Sequence, residues 1–368
     1  SVQKLDYVGG LAYLGALAAV VAALLTKVIA VVIPPALLLL DACDRERRGR
    51  RWILDKVPFA IAAAAAIWAT LQSQGTAIGV GQKAYWMDGP TTLFTMVPVA
   101  ARYVGMVLWP AQLSAMYAPA IRASADAAFW GSAALLCGIA AGGVVLWRRD
   151  RAAVPWLAFF FVALLPVMHL VPLPTLMNDR YLYFPMLGAA ALGGVALDRL
   201  VAGAILRRRV ALAVASAVFV LLGSASVVRT GVWRDDVTLW RDTSAKTPRS
   251  PFVWRQLGLS YVEAGRTSDA IAAYERALAL DPLDEQVLNN LGSLYNNLGR
   301  PEQARPLLRR AVARAPGFFE AQVNLGIAEA KQGDLIGAER AFAAALAIRP
   351  GDRFARTALD DVRRALSR

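Results

Sequence analysis

The chain has 368 residues, of which 57% are hydrophobic and 18% charged, a mix too apolar for a soluble protein of this size. Its net charge of +13 is uneven: from Trp233 onward 20 basic residues meet 17 acidic ones, while residues 1–232 carry 20 basic against 10 acidic. Basic residues gathered between apolar runs are a topology signal and not a nucleic-acid surface, so a nucleic-acid partner is excluded.

In chain order, the apolar runs predict spans near residues 8–25, 28–42, 57–73, 128–147, 153–170, 185–206 and 210–228, seven in all. Residues 1–6 are polar, and the run that follows is too long for a signal peptide. Three basic clusters interrupt the runs: Arg45, Arg47, Arg48, Arg50, Arg51 and Lys56; then Arg148, Arg149 and Arg151; then Arg199, Arg207, Arg208 and Arg209. Placing these on the cytoplasmic side leaves 73–127, 171–184 and everything after 228 outside, with 14 of the 20 basic residues inside once Lys4 is counted. Residues 91–109 carry Arg102 and Pro98 and are expected to lie on, or dip into, the outer face. The Ala- and Arg-rich composition points to a plasma (inner) membrane. Cys43 and Cys137 are expected as free thiols, and the single histidine, His169, leaves no Cys/His cluster, so no metal site is assigned.

From residue 251 a repeat takes over. Leu257-Gly258, Leu291-Gly292 and Leu325-Gly326 recur every 34 residues, as do Gly265, Gly299 and Gly333; Ala270, Ala304 and Ala338; Ala277, Ala311 and Ala345; and Pro282, Pro316 and Pro350. Small residues let two helices approach, large ones at Tyr274, Leu308 and Phe342 fill the gap, and proline ends the second helix. This period and pattern is that of the tetratricopeptide repeat (TPR). The fold class is therefore all-α: a polytopic transmembrane helix domain over 1–230, then a TPR α-solenoid over 231–368. Within the solenoid a degenerate half repeat is expected at 233–250, repeats at 251–284, 285–318 and 319–352, and a capping helix at 353–368. The first helix of each TPR lines the concave face, where Gln256, Asn290 and Asn324 recur just before the Leu-Gly pair. Such an amide ladder suits a peptide backbone; solvated polar positions on an ordinary repeat are the alternative. Of the cations that clamp a terminal carboxylate in some TPRs, only Arg255 fits.

Three segments of the membrane part carry a resemblance. Thr26-Lys27 followed by Pro34-Pro35-Ala36 and the leucine run to Asp41 is one; Trp109-Pro110 through Leu113 to Tyr117 is the second. The third is Asn178-Asp179-Arg180-Tyr181-Leu182-Tyr183-Phe184-Pro185, with Gly188 after it. In this order, ahead of TPRs, they resemble the transmembrane and tetratricopeptide repeat-containing (TMTC-type) O-mannosyltransferases of the GT-C glycosyltransferase superfamily, over essentially the whole chain.

That resemblance implies an enzyme moving a sugar, mannose in eukaryotic members, from a polyprenyl-phosphate carrier to a protein hydroxyl, with a divalent metal as a possible cofactor. The superfamily's catalytic acidic pair has no counterpart here, since the outer loops hold only Asp88, Asp126 and Asp179. The catalytic residues are thus unassigned, and the pair is expected upstream of Ser1. For the lipid-linked sugar the candidates are Lys27, Arg180, Asp179, Tyr181 and Tyr117: cations for phosphate, a carboxylate to orient them, rings to stack on sugar or isoprene. An interfacial aromatic belt is the competing account of the tyrosines, and helix-end packing or proton transfer that of His169. Two other functions stay open. One is a non-catalytic membrane-anchored TPR scaffold. The other is an O-antigen ligase or polymerase-like protein, set back by an outer loop 73–127 with only Lys83, Arg102 and Arg122.

Overall fold

A computed structural model describes residues 2–26, 28–43, 51–77, 87–149, 152–169 and 175–368. The chain divides into two compact units, Ser1–Arg229 and Thr230–Arg368. Both are helical.

The first unit holds α1 (Val2–Thr26), a 3-10 turn (Val28–Val32), α2 (Ile33–Cys43), the single turn α3 (Arg51–Leu54) and α4 (Val57–Ala77). It continues with α5 (Gly89–Leu108), α6 (Ala127–Arg149), α7 (Val154–Leu164), α8 (Tyr183–Val201) and α9 (Ile205–Thr230). Among the described residues four helices are long and apolar enough to cross a membrane: Gly89–Leu108, Ala127–Arg148, Asp179–Val201 and Ile205–Trp233. Four shorter apolar helices accompany them, over Leu11–Thr26, Ala30–Leu39, Val57–Thr70 and Val154–Val167.

The structure refines the expected apolar runs. The run at 28–42 is a 3-10 turn followed by an 11-residue helix, because Pro34 and Pro35 have no N–H to continue a helix and fit only a first turn. The run at 153–170 is likewise cut short: α7 starts at Val154 with Pro155 in its first turn and gives way to a 3-10 turn over Leu165–Val167, around Pro166. Residues 91–109, expected to lie on or dip into the outer face, form a helix: α5 runs unbroken through Pro98 for 20 residues. Asp88 caps it by accepting from the Thr91 N–H at 2.8 Å. Its buried stripe (Thr95, Met96, Val99, Ala100 and Tyr103) returns at helical spacing.

The second unit is a ladder of antiparallel helix pairs: α10 (Asp236–Lys246), α11 (Pro251–Glu263), α12 (Thr267–Leu280), α13 (Glu285–Asn297), α14 (Pro301–Arg314), α15 (Phe319–Lys331), α16 (Leu335–Ile348) and α17 (Arg353–Leu366). The starts are set by side-chain caps, with Asp235, Ser250, Asp284, Asp334 and Asp352 each accepting from an N–H of its own first turn. The inner ends are set by glycine. Gly265, Gly299 and Gly333 sit at φ 70, 69 and 78°, and the next N–H reaches back into the helix: Arg266 to Tyr261 O, Arg300 to Tyr295 O, Asp334 to Glu329 O, at 2.8–2.9 Å. No atom lies within 4 Å of where a Cβ on Gly299 would sit, so Gly299→Ala isolates the left-handed strain. Urea unfolding should show a loss of about 1 kcal/mol.

Candidate functional sites

The first site is built where α5, the loop after it and the turn before α8 meet. Tyr117 forms an antiparallel bridge with Met177. Asn178 caps the 3-10 turn Asp179–Leu182 through its Oδ1, and its Nδ2 donates to Ala115 O at 2.7 Å. The Asn178 N–H donates to the Tyr103 hydroxyl at 3.1 Å, drawing α5 into the corner. Tyr117 completes the closure. Its hydroxyl donates to Asp179 Oδ1 at 2.5 Å, accepts from the Ser114 N–H at 2.8 Å and lies 3.1 Å from Gln112 O. Burial, then the Asp179 carboxylate, pushes the Tyr117 hydroxyl far above the usual phenol range, so it remains a donor at neutral pH.

His169 stands at the edge of this corner. It is 6% exposed and holds a left-handed backbone at φ 56°. A carbonyl can only accept, so the 3.1 Å contact from Nε2 to Thr175 O puts the proton on Nε2. Nδ1 is then a buried acceptor with no hydrogen-bond partner among the described residues. Burial lowers the imidazole pKa, partly opposed by the Thr175 carbonyl. An opened corner binds the proton near pH 6.5 while the closed one resists, so the stability is present above that value and lost as pH falls through it. The melting temperature of this unit should therefore drop between pH 7.5 and 5. His169→Asn, which tolerates the same backbone and does not titrate, should flatten that slope.

The proposed carrier residues divide. Lys27 lies outside the described residues. Asp179 and Tyr117 are joined as above. Tyr181 is buried, its hydroxyl 2.7 Å from Thr175 Oγ1. At 3% and 8% exposure, Tyr117 and Tyr181 are buried and build the corner. Arg180 is exposed, its guanidinium 5.8 Å from the Tyr181 ring centre. Sequence reasoning did not single out Arg102 as a site. It sits 4.7 Å over the Tyr117 ring, at a cleft of about 290 Å³ lined by Gly105, Met106, Trp109, Ala111 and Gln112. Its signal was present as a lone cation in an apolar helix. Among the described residues, no three His, Cys, Asp or Glu side chains converge as a metal site.

The second site is the face formed by α11, α13 and α15. The first helices α13 and α15 pack directly on each other, whereas the second helices α14 and α16 do not approach as closely, so the first helices line the tighter, inner side. The amide ladder is tied into this packing. Asn324 Nδ2 donates to Asn289 Oδ1 at 2.9 Å, Asn296 Nδ2 donates to Asn324 O at 2.8 Å, and Lys331 Nζ donates to Asn296 O at 2.7 Å. Asn290 bonds the Tyr274 hydroxyl, which burial pushes up to about 12 against that bond. Gln256 is half-buried on α11. Asn289, Asn296 and Lys331 thus join the polar face without being legible in the repeat pattern. Arg255 is no carboxylate clamp, because it forms a paired bond to Asp284 at 3.0 and 3.2 Å, both side chains 11% exposed.

The comparisons fall on this unit. Residues 255–317 and 295–353 match the tetratricopeptide-repeat family pattern. The C-terminal part is a TPR solenoid. Solved structures similar to the chain include the first TPR of Spaghetti (RPAP3) bound to HSP90 peptide SRMEEVD, at 24% identity and TM-score 0.32, covering 32% of this chain and 94% of that one. MamA is 22% identical with TM-score 0.33, covering 34% and 69%, and the Arabidopsis OM64 TPR domain is 19% identical with TM-score 0.31, covering 32% and 96%. No curated protein matches the chain. Each of the three repeats locks in one way: a Cβ on Gly258, Gly292 or Gly326 would fall 2.5–2.8 Å from Tyr274, Leu308 or Phe342, the large residue of the same repeat's second helix.

Proposed function

We propose that this chain is a membrane-embedded protein-binding protein, in which the apolar helices hold it in a bilayer and the TPR array captures a polypeptide. The observation that carries the binding role is the inner face of α11, α13 and α15. There the half-buried Asn290 and Asn324 are held by the buried Asn289, and Asn296 bonds the Asn324 carbonyl beneath them, so an extended chain meets fixed amide groups at low ordering cost. The bilayer role is supported by α9, whose apolar window has a mean hydropathy of 2.3 with none of it buried inside the protein. Such a face is untenable in water. The basic clusters support an extracytoplasmic array in a plasma membrane. Asn324→Leu in the full chain should abolish partner retention without loss of membrane association; undiminished retention would sink the binding face.

A second, finer reading is sugar transfer from a polyprenyl-phosphate carrier to a protein hydroxyl. It is favoured by one contact: Tyr117 and Asp179, from two of the segments that resemble TMTC-type transferases, are hydrogen-bonded across 62 residues. In such a transfer the acceptor oxygen bonds the sugar's anomeric carbon, the polyprenyl phosphate leaves, and the hydroxyl proton passes to a base. Here Arg180 would contact the phosphate alongside Lys27, while Asp179, Tyr117 and Tyr181 fix its position. Labelled sugar moving from carrier to protein, and lost in Arg180→Ala, would support this reading. An absence of transfer from every carrier tried would leave protein binding alone.

A further inference from the structure

We propose that the inner face of the TPR array takes an uncharged, extended segment with apolar side chains, and discriminates against acidic and basic ones. The inference rests on the protein-binding reading and names the class of partner. On α11, Phe252, Gln256, Leu259 and Val262 recur at helical spacing along one side. Phe252 and Leu259 are half-buried and Val262 is 41% exposed, so apolar surface flanks the Gln256 amide on both sides. One repeat on, Gln286, Asn290 and Ser293 take the positions of Phe252, Gln256 and Leu259, all polar and uncharged. On α15, Asn324 and Ile327 again set an amide beside an apolar residue.

The charges beside this face are engaged within the array. Arg255 is bonded twice to Asp284, and its guanidinium lies 5.1 Å from the centre of the Phe252 ring. Arg349 pairs with Glu320 at 2.9 Å, and Lys331 Nζ donates to the Asn296 carbonyl. Glu263 stands exposed in the last turn of α11, in water. A charged partner residue brought onto the face would lose its water and meet counter-charges that already have partners, whereas a leucine gives up nothing polar. The half-buried amides of Gln256, Asn290 and Asn324 supply donors and acceptors for the backbone of a neutral segment. Selectivity thus follows from the paired charges, and freeing one of them should change it.

The full chain in nanodiscs would be titrated against three fluorescent heptapeptides, blocked at both ends, in which serine alternates with leucine, glutamate or lysine. Binding is read by anisotropy, with empty nanodiscs subtracted. The leucine peptide should bind about tenfold more tightly than the other two. Its affinity should hold between about 50 and 500 mM salt and be lost in Asn324→Leu. Asp284→Asn keeps a side-chain cap on α13, since asparagine caps as well as aspartate, and releases Arg255. The glutamate peptide should then gain about fivefold, with a gain that salt removes, while the leucine peptide is unchanged. A glutamate or lysine peptide bound by the parent chain as tightly as the leucine one, and lost in Asn324→Leu, would overturn the neutral segment and leave the binding face standing. A glutamate peptide unmoved by Asp284→Asn would overturn it too. So would binding of none of the three, and partner retention by the same chain then decides whether the face itself falls.

Discussion

Replacing Gly292 with valine is expected to cost the TPR array about 3 kcal/mol and to uncouple its middle repeat. A Cβ at this position would sit 2.6 Å from Leu308 Cγ and 2.8 Å from its Cδ2. Leu308 is fully buried and cannot swing away, so α13 and α14 must separate. Overpacking of a filled core costs roughly 1–3 kcal/mol, and the two further methyls of valine take the substitution to the top of that range or past it. In a solenoid each repeat leans only on its neighbours, so the loss at α13 also weakens its contacts with α12 and α15. Gly292→Ala should cost less, because the gain in helix propensity, about 1 kcal/mol, offsets part of the clash. Adding Leu308→Ala to Gly292→Ala should cost less than the sum of the single changes, since the smaller side chain clears the new Cβ. Urea unfolding measures all of these. Gly317, whose surroundings are open, serves as the control. A Gly292→Val array as stable as the Gly317→Ala one would disprove the interlock.

Tyr117→Phe should open the outer corner while leaving the helices intact. The hydroxyl is the acceptor for the buried Ser114 N–H and a donor to Asp179, so its loss strips one partner from each. Leaving buried polar groups short of a partner costs about 1–3 kcal/mol apiece, and the charged one costs more. A local loss of roughly 2–4 kcal/mol corresponds to about 30-fold to 1,000-fold faster amide exchange at Ser114 and Tyr117, with the TPR amides unchanged. Exchange at the parent rate would mean the corner is held by the Tyr117–Met177 bridge and Asn178 alone.

The repeat array was legible because its packing is written at fixed spacing. Gly292 and Leu308 recur with their counterparts every 34 residues, and the spacing itself encodes which side chain fills which gap. The polar face was only half legible. Asn290 and Asn324 stand at repeat positions, but Asn289 and Asn296 acquire their roles from partners 35 and 28 residues away, which no period reveals. Arg255 misled for the same reason: its partner, Asp284, lies 29 residues away at the start of the next helix pair. In the first unit, composition located the apolar runs but not their ends, since Pro34-Pro35 and Pro166 divide what hydropathy joins, while Pro98 does not break α5. In the sequence Arg102, with Pro98, pointed only to a helix on or dipping into the outer face. Its seat on Tyr117 exists only once the loop after α5 has folded back.

The most direct measurement is photocrosslinking from the inner face of the array in intact membranes. A photoreactive side chain at Gln256, on α11, is compared with one at exposed Arg276, on α12. The expected result is a discrete polypeptide adduct from position 256, recovered with the membrane fraction and lost in Asn324→Leu, and none from position 276. Equal adducts from both positions, or an adduct only in the soluble fraction, would contradict a membrane-held TPR array that binds its partner on the inner face.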